Sequence, residues 1–360
     1  MNVLWLIIIA MVFCVGQGIV FRFFNLRRLT YTRFFSKRIV HEGEQVELIE
    51  IIRNNKPLPV PWVRAESRIS PYLSFNREKA EDYNVSGGRY HKSVFFLGAF
   101  KQIRRRHTVT CLHRGEYQLK SVALTAGDLF GAGLSTRQLD IECPLTVYPR
   151  LLGEEELPQP ANRWQGEVTV KRWIQPDPFL LSGIREYRPG DMMRDVHWRQ
   201  TARTGQMQVK THDYTSEARL MVVLNVQLRP DQWADLNPKE EESIEQAIRI
   251  AATLCVRALK NGADAGFVTN GCLPEDKDSG NLLYIPSKGG ADQEDAILNA
   301  MARMLLHREV TAVRMMDALN TLHNEDILFL TYYTDEIIEN GLEQLRAHGN
   351  TVSVFVPERK

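Results

Sequence analysis

The first two dozen residues constrain this chain more than any other feature. Val3 to Phe21 carries no charged side chain, and Gln17 with three small residues makes the only interruptions. Nineteen residues at ~1.5 Å rise form a helix of roughly 28 Å, close to the hydrocarbon thickness of a bilayer. A buried core helix of a soluble domain shows a polar face, and this segment has none. A secretory signal carries basic residues before its apolar run and a small-residue cleavage site after it. Here Arg22, Arg27, Arg28, Arg33, Lys37 and Arg38 all follow the run, ahead of the first acidic residue, Glu42. The positive-inside rule keeps that flank in the cytoplasm. The expectation is a transmembrane anchor over residues 1–24, crossing the cell membrane once through residues 3–21. The N-terminus then faces out and the bulk of the chain is cytoplasmic.

The 360 residues leave room for about two domains after the anchor. A hydrophobic content of 44% is ordinary for a globular chain and too low for a multi-span transporter. A formal net charge of +1 argues against nucleic-acid binding by a basic surface. Arg104, Arg105 and Arg106 are the densest basic run beyond the flank, and such a run on a strand usually guards a solvated edge. Cysteines at 14, 111, 143, 255 and 272 are odd in number and never spaced Cys-x-x-Cys. They indicate neither a disulfide framework nor a zinc site, and they suit a reducing cytoplasm.

Residues 38–150 read as β-structure. Gln45 to Ile52 is a strand with partial alternation, ended by Arg53-Asn-Asn-Lys-Pro. Trp62 to Ile69, His91 to Leu97 and Leu139 to Tyr148 are further strands. Arg106 to Leu112 and Tyr117 to Leu124 read as a hairpin around Gly115. Short strands with Gly and Pro turns and no amphipathic helix predict a small sandwich of immunoglobulin-like type.

From residue 215 to 360 the texture changes. Arg219 to Val226 is a continuous apolar run, as in a strand buried on both faces. Asn237 and Pro238 offer an N-cap and a first-turn proline, Ile244, Ala247, Ile248, Ala251 and Cys255 an apolar stripe, and Gly262 a stop. A strand at Ala265 to Val268 follows, then helical stretches at Glu294 to His307 and Thr311 to Leu322, and a strand at Ile327 to Leu330. A helix at Asp335 to His348 and a strand at Thr351 to Val356 close the chain. This alternation predicts a Rossmann-like α/β domain with a parallel sheet covered on both faces. The whole is an α+β multidomain chain.

A connector over residues 170–214 holds the most distinctive segment, Ile184 to Lys210. Pro189-Gly190 makes a turn, and Asp191 suits the cap of a short helix from Met192. On that helix Arg194 shares a face with His197 and Trp198, within reach of Asp191 and of the Trp198 ring, and His197 lies four residues from Thr201. The segment resembles the signature of the bacterial family called domain of unknown function 58, Gly-Asp-x-x-Arg-x-Ile-His-Trp-x-x-Ser-Ala-Arg. It matches at Gly190, Asp191, Arg194, His197, Trp198, Ala202 and Arg203, with Val196 for the isoleucine and Thr201 for the serine. Arg114-Gly-Glu-Tyr117 and Asp128-Leu-Phe-Gly131 match two further family patterns. The resemblance covers most of the chain after the anchor. It implies a membrane protein with a β-rich middle, a C-terminal domain similar to von Willebrand factor type A, and a MoxR-type AAA+ ATPase as neighbour. Many relatives carry two spans where this chain shows one.

Domains of the von Willebrand A type often hold Mg²⁺ with Asp-x-Ser-x-Ser after the first strand, because a hard cation takes hard oxygen ligands. At the matching place stand Asn225, Gln227 and Arg229, so the carboxylate is gone and a cation sits where a hydroxyl belongs. Thr269-Asn270 and Thr334-Asp335 follow later strands and do not restore the charge. No bound metal and no cofactor are expected. The reading is a non-enzymatic interaction or scaffold protein whose α/β edge binds a protein partner, an AAA+ ATPase being the implied one. Set against it is a hydrolase-like enzyme in which Asp191 and His197 do acid–base work while Arg194 and Arg203 hold an anion. No nucleophile or phosphate loop accompanies those residues, and a motif rich in Arg, Asp, His and Trp is more often a buried polar latch between domains. A wall-binding module outside the cell would require the anchor to be inverted.

Overall fold

The computed structural model describes residues 2–75, 89–128, 134–157, 181–188, 193, 196–212, 219–230, 232 and 236–357. They fall into two compact units, Met1–Arg150 with Met301–Arg303, and Leu151–Ala300 with Met304–Lys360. Gly190, Asp191 and Arg194 lie outside the described residues.

Helix α1 runs Asn2–Phe24, with Arg22 in its last turn near the negative helix end. Its stretch Trp5–Phe24 is long and apolar enough to cross a membrane. The large side chains along it, Trp5, Phe13 and Phe23 among them, are exposed. The helix does not run into a loose basic linker. Asn25 is fully buried, and its Nδ2 donates to the Gly127 carbonyl at 2.8 Å. The buried Lys56 ammonium donates to the Asn25 carbonyl at 2.6 Å, placing a cation at the helix C-terminus.

The first strand, β1 (Leu29–Phe35), lies ahead of residue 38, where the sandwich was expected to begin. Arg33, read as part of the basic flank, points inward on a strand whose residues alternate buried and exposed, and is itself buried. β1 pairs with β3 (Gln45–Asn54), then come β7 (Gln102–Cys111) and β5 (Leu73–Phe75) in the order β1-β3-β7-β5. The second sheet joins β2 (Ile39–His41), β9 (Ser135–Tyr148), β8 (Gly115–Gly127), β4 (Val60–Ile69) and β6 (Arg89–Leu97) in the order β2-β9-β8-β4-β6. Side chains of both sheets share two apolar clusters, one around Leu48, Leu73, Val109, Leu119 and Leu145, the other around Ile52, Val63, Phe95 and Leu124. That is the packing of a β-sandwich.

The hairpin expected around Gly115 is not formed. β7 and β8 belong to different sheets, so residues 112–114 carry the chain across the sandwich. Gly115 opens β8 at φ 153°, a conformation that L side chains rarely adopt. The Tyr117 hydroxyl donates back to the His113 carbonyl at 2.8 Å, fixing the corner as tyrosines do in Greek-key sandwiches.

In the second unit a five-stranded sheet has the order β15-β13-β12-β17-β18. β12 (Arg219–Leu224), β13 (Asp264–Thr269), β17 (Asp326–Leu330) and β18 (Thr351–Phe355) are parallel. The edge strand β15 (Leu283–Lys288) runs antiparallel to β13, so the sheet is mixed rather than purely parallel. Pro286 is tolerated there because the strand lies at an edge. Helix α3 (Pro238–Lys260) packs on β12 and β13. Met221, Val223, Ile327 and Phe329 form another cluster with Met315, Met316 and Leu319 of α5 (Ala312–Leu319) and Ile338, Leu342 and Leu345 of α6 (Glu336–Ala347). The expected helix Glu294 to His307 is shorter: α4 (Ala291–Arg303) stops at Met304, whose extended backbone leads into β16 (Leu305–Arg308), paired with β14 (Gly271–Cys272).

Candidate functional site

The described part of the signature segment is a small module. β10 (Leu181–Glu186) pairs antiparallel with β11 (Gln208–His212), and α2 (Trp198–Thr204) precedes β11. The start of the helix expected from Met192 lies outside the described residues, and Val196 and His197 are not helical. Val196 bridges Val209 in extended geometry, and His197 has non-helical angles of φ −89° and ψ 82°. His197 is itself the cap: its Nδ1 accepts the Gln200 N–H at 3.1 Å. Thr201 Oγ1 donates to the His197 carbonyl at 3.1 Å and accepts the Gln208 N–H at 3.0 Å, tying helix to strand. Gly205 at φ 70° closes the helix. Thus His197 and Thr201 organise the turn, whereas Trp198, Ala202 and Arg203 face solvent, Trp198 with 64% of its surface exposed.

A second candidate lies at the carboxyl edge of the parallel strands. The chain leaves β12 for β13 on one side, and β17 lies on the other, so the sheet order switches at the end of β12. Open α/β sheets place their ligands at such a crevice. Asn225, Gln227, Thr269, Asn270 and Thr331 gather here, all essentially buried. Asn270 Nδ2 donates to Asn225 Oδ1 at 2.8 Å and to Gln227 Oε1 at 3.3 Å. Asn225 Nδ2 donates to Thr331 Oγ1 at 3.3 Å, and Asn270 Oδ1 accepts the Val226 N–H at 2.8 Å. Gln227 Nε2 reaches the Arg229 and Pro230 carbonyls. Neutral amides therefore occupy one another at the end of β12. Thr269 Oγ1 is held by the Gly271 N–H, and the Asp335 carboxylate caps α6 through the Ile338 N–H at 2.8 Å. Arg229 is exposed and pairs with Glu240 at 3.3 Å. Tyr333, behind Thr331, has its phenol pushed up by burial. Thr331 went unnoticed in the sequence because a lone threonine after a strand carries no signal of its own.

Comparison with known proteins matches this unit to a family. Residues 183–353 match the family described as "Protein of unknown function DUF58". The matched stretch includes both candidate sites. The "Uncharacterized protein YeaD" of Bacillus subtilis (strain 168) is 21% identical over 249 residues, covering 69% of this chain and 57% of that protein. The chain thus spans little more than half the length of this relative. Among solved structures, a non-cellulosomal cohesin from Archaeoglobus fulgidus aligns at 13% identity, covering 35% of this chain and 94% of the cohesin, with a TM-score of 0.23. A cohesin module from a Clostridium perfringens family 33 glycoside hydrolase aligns at 15% identity, covering 32% and 97%, with a TM-score of 0.21. The sandwich assignment rests on the two sheets and their shared core, not on these likenesses.

Proposed function

We propose that this chain is a membrane-anchored, non-enzymatic scaffold. In this reading α1 is a single span, the chain after it is cytoplasmic, the sandwich is immunoglobulin-like, and the α/β unit is a von Willebrand A-like domain without its metal. The unit presents its signature module and carboxyl edge to a protein partner, a MoxR-type AAA+ ATPase.

The observation that carries the reading is the closed amide network of Asn225, Gln227, Asn270 and Thr331. Among the described residues, the amides and the threonine at the end of β12 are already bonded to one another. His197, the one described member of the acid–base pair considered for an enzyme, spends its Nδ1 on capping α2. Trp198, Met193, Ile184 and Met207 are exposed in the same module, and aromatic and methionine side chains are the kinds that interface cores favour. Arg22, Arg27, Arg28, Lys37 and Arg38, which follow the apolar run ahead of any acidic residue, support the cytoplasmic orientation.

The test is co-purification from detergent-solubilised membranes of the tagged chain with the host's MoxR-type ATPase. Wild type recovers the ATPase, and Trp198→Ala or a chain ending at residue 218 recovers little. Equal recovery by all three contradicts the role given to the α/β unit.

A further inference from the structure

Midway through the apolar interior of the sandwich, β3 turns a carboxylate inward. Glu50 is 2% exposed and stands between Leu48 and Ile52 on the inward row of its strand. Leu48 belongs to one apolar cluster and Ile52 to the other. A carboxylate in such surroundings persists only when it is paired and hydrogen-bonded. Its Oε2 lies 2.8 Å from His107 Nε2 and accepts the Ser93 hydroxyl at 2.6 Å. Its Oε1 accepts the Tyr31 phenol at 2.5 Å. Ser93 Oγ is also 3.1 Å from His91 Nε2 and 3.2 Å from His107 Nε2. One ligand atom from each of Glu50, His91 and His107 lies within 4.8 Å of the other two. Glu50 and His107 come from neighbouring strands of one sheet, His91 and Ser93 from the edge strand β6 of the other.

We propose that Glu50, His91 and His107 bind a single divalent cation of the zinc class, which pins the two sheets of the sandwich together. Two imidazole nitrogens and one carboxylate oxygen form a donor set that zinc accepts, with bonds of about 2.0–2.2 Å. Tetrahedral bonds of that length set ligand atoms roughly 3.3 Å apart, and the Glu50–His107 separation of 2.8 Å is already near it. Calcium and magnesium want mostly oxygen ligands, which two imidazoles do not supply.

The surroundings hold the donors in place. The two imidazole rings stand at 82° with centroids 4.5 Å apart, so their nitrogens approach one point from different directions. Phe75 stacks on the His91 ring at 4.4 Å, and Tyr31 fixes the far oxygen of Glu50. Partners behind the ligands orient them in this way at metal centres. His91 and His107 are only partly buried, which gives a cation a way in, while Glu50 lies deep. Ser93 Oγ, 2.6–3.2 Å from all three ligand atoms, stands where the cation goes, and a serine hydroxyl vacates such a place by turning to another staggered rotamer.

Asp278, His307 and Glu309 make a second gathering of the same compactness on the surface of the α/β unit. There Glu309 accepts the backbone N–H groups of Gly280 at 2.6 Å and Asp278 at 3.0 Å, so its oxygens already hold a loop. It serves as the control.

The experiment titrates zinc alone into the full chain in detergent, after EDTA stripping, against a chromogenic chelator. We expect one zinc per chain, a zinc-dependent rise in Tm, and affinity weakened by at least about 100-fold in His91→Gln and His107→Gln, the most that losing even an outer partner costs. His307→Gln and Ser93→Ala keep the binding. Should the glutamine variants fail to fold, cobalt(II) on the wild type decides: intense four-coordinate visible absorption supports the site, and faint six-coordinate absorption overturns it. Absence of stoichiometric zinc in the wild type, or undiminished binding in both glutamine variants, also overturns it.

Discussion

Asn225 shows how one side chain decides the chemistry of the sheet edge. Its Oδ1 accepts from Asn270 and from the Gln227 N–H, and its Nδ2 donates to Thr331. Asn225→Asp keeps the acceptors, loses the donor and buries a charge. Thermal unfolding should show a loss of about 1–3 kcal/mol; an unchanged Tm contradicts the network. Burial sets the thiols too, pushing Cys255 up to about 12 and Cys111 and Cys272 up to about 11. Titration of the folded chain with an aromatic disulfide at pH 8 should therefore leave these three unlabelled until guanidinium is added. Lys56 moves the other way, burial lowering its ammonium from the usual 10.5 to about 8. The unfolded chain then holds that proton at pH values where the folded one has released it, so stability gains as pH rises from 8 to 10.5. Lys56→Met should flatten that rise in a comparison of pH-dependent unfolding. For Glu50, burial opposes ionisation, but bonds from His107, Ser93 and Tyr31 and the His91 charge lower the carboxyl to about 2. These residues were invisible as a group in the sequence, because Glu50, His91 and His107 sit on three separate strands and meet only once two sheets have closed.

At the scale of elements, what was legible followed local chemistry. Asn237 and Glu240 form a reciprocal capping box at α3, and Thr311 and Asp335 accept N–H bonds at the starts of α5 and α6. Gly262 and Gly349 follow α3 and α6 at φ 80° and 84°. Each of these is a contact within four residues, which a sequence displays directly. What failed depended on distant partners. Residues 106–124 look like a hairpin, yet β7 pairs with β3 and β5 while β8 pairs with β4 and β9. Only Tyr117, reaching back to His113, marks the corner. Tyr117→Phe should cost about 0.5–1.5 kcal/mol in chemical denaturation, and no loss would show that the corner stands without that bond. β1 hid behind its basic neighbours, since nothing local says that Arg33 is buried and donates to the Ser121 carbonyl. The start of the helix expected from Met192 lies outside the described residues, and Val196 is held in a bridge by Val209, thirteen residues on.

For the molecule as a whole, α1 ends on Asn25, locked by Gly127 and Lys56, so the apolar helix and the sandwich form one unit rather than a tether and its load. The α/β unit carries an exposed Trp198 and a sheet edge closed by amides. The most direct test is the affinity of the full chain in nanodiscs for the purified MoxR-type ATPase, measured beside Trp198→Ala and Asn225→Ala. Saturable binding weakened about tenfold or more by Trp198→Ala, as for a residue central to an interface, is the predicted result. No saturable binding by the wild-type chain, or equal binding by the Trp198→Ala variant, contradicts it.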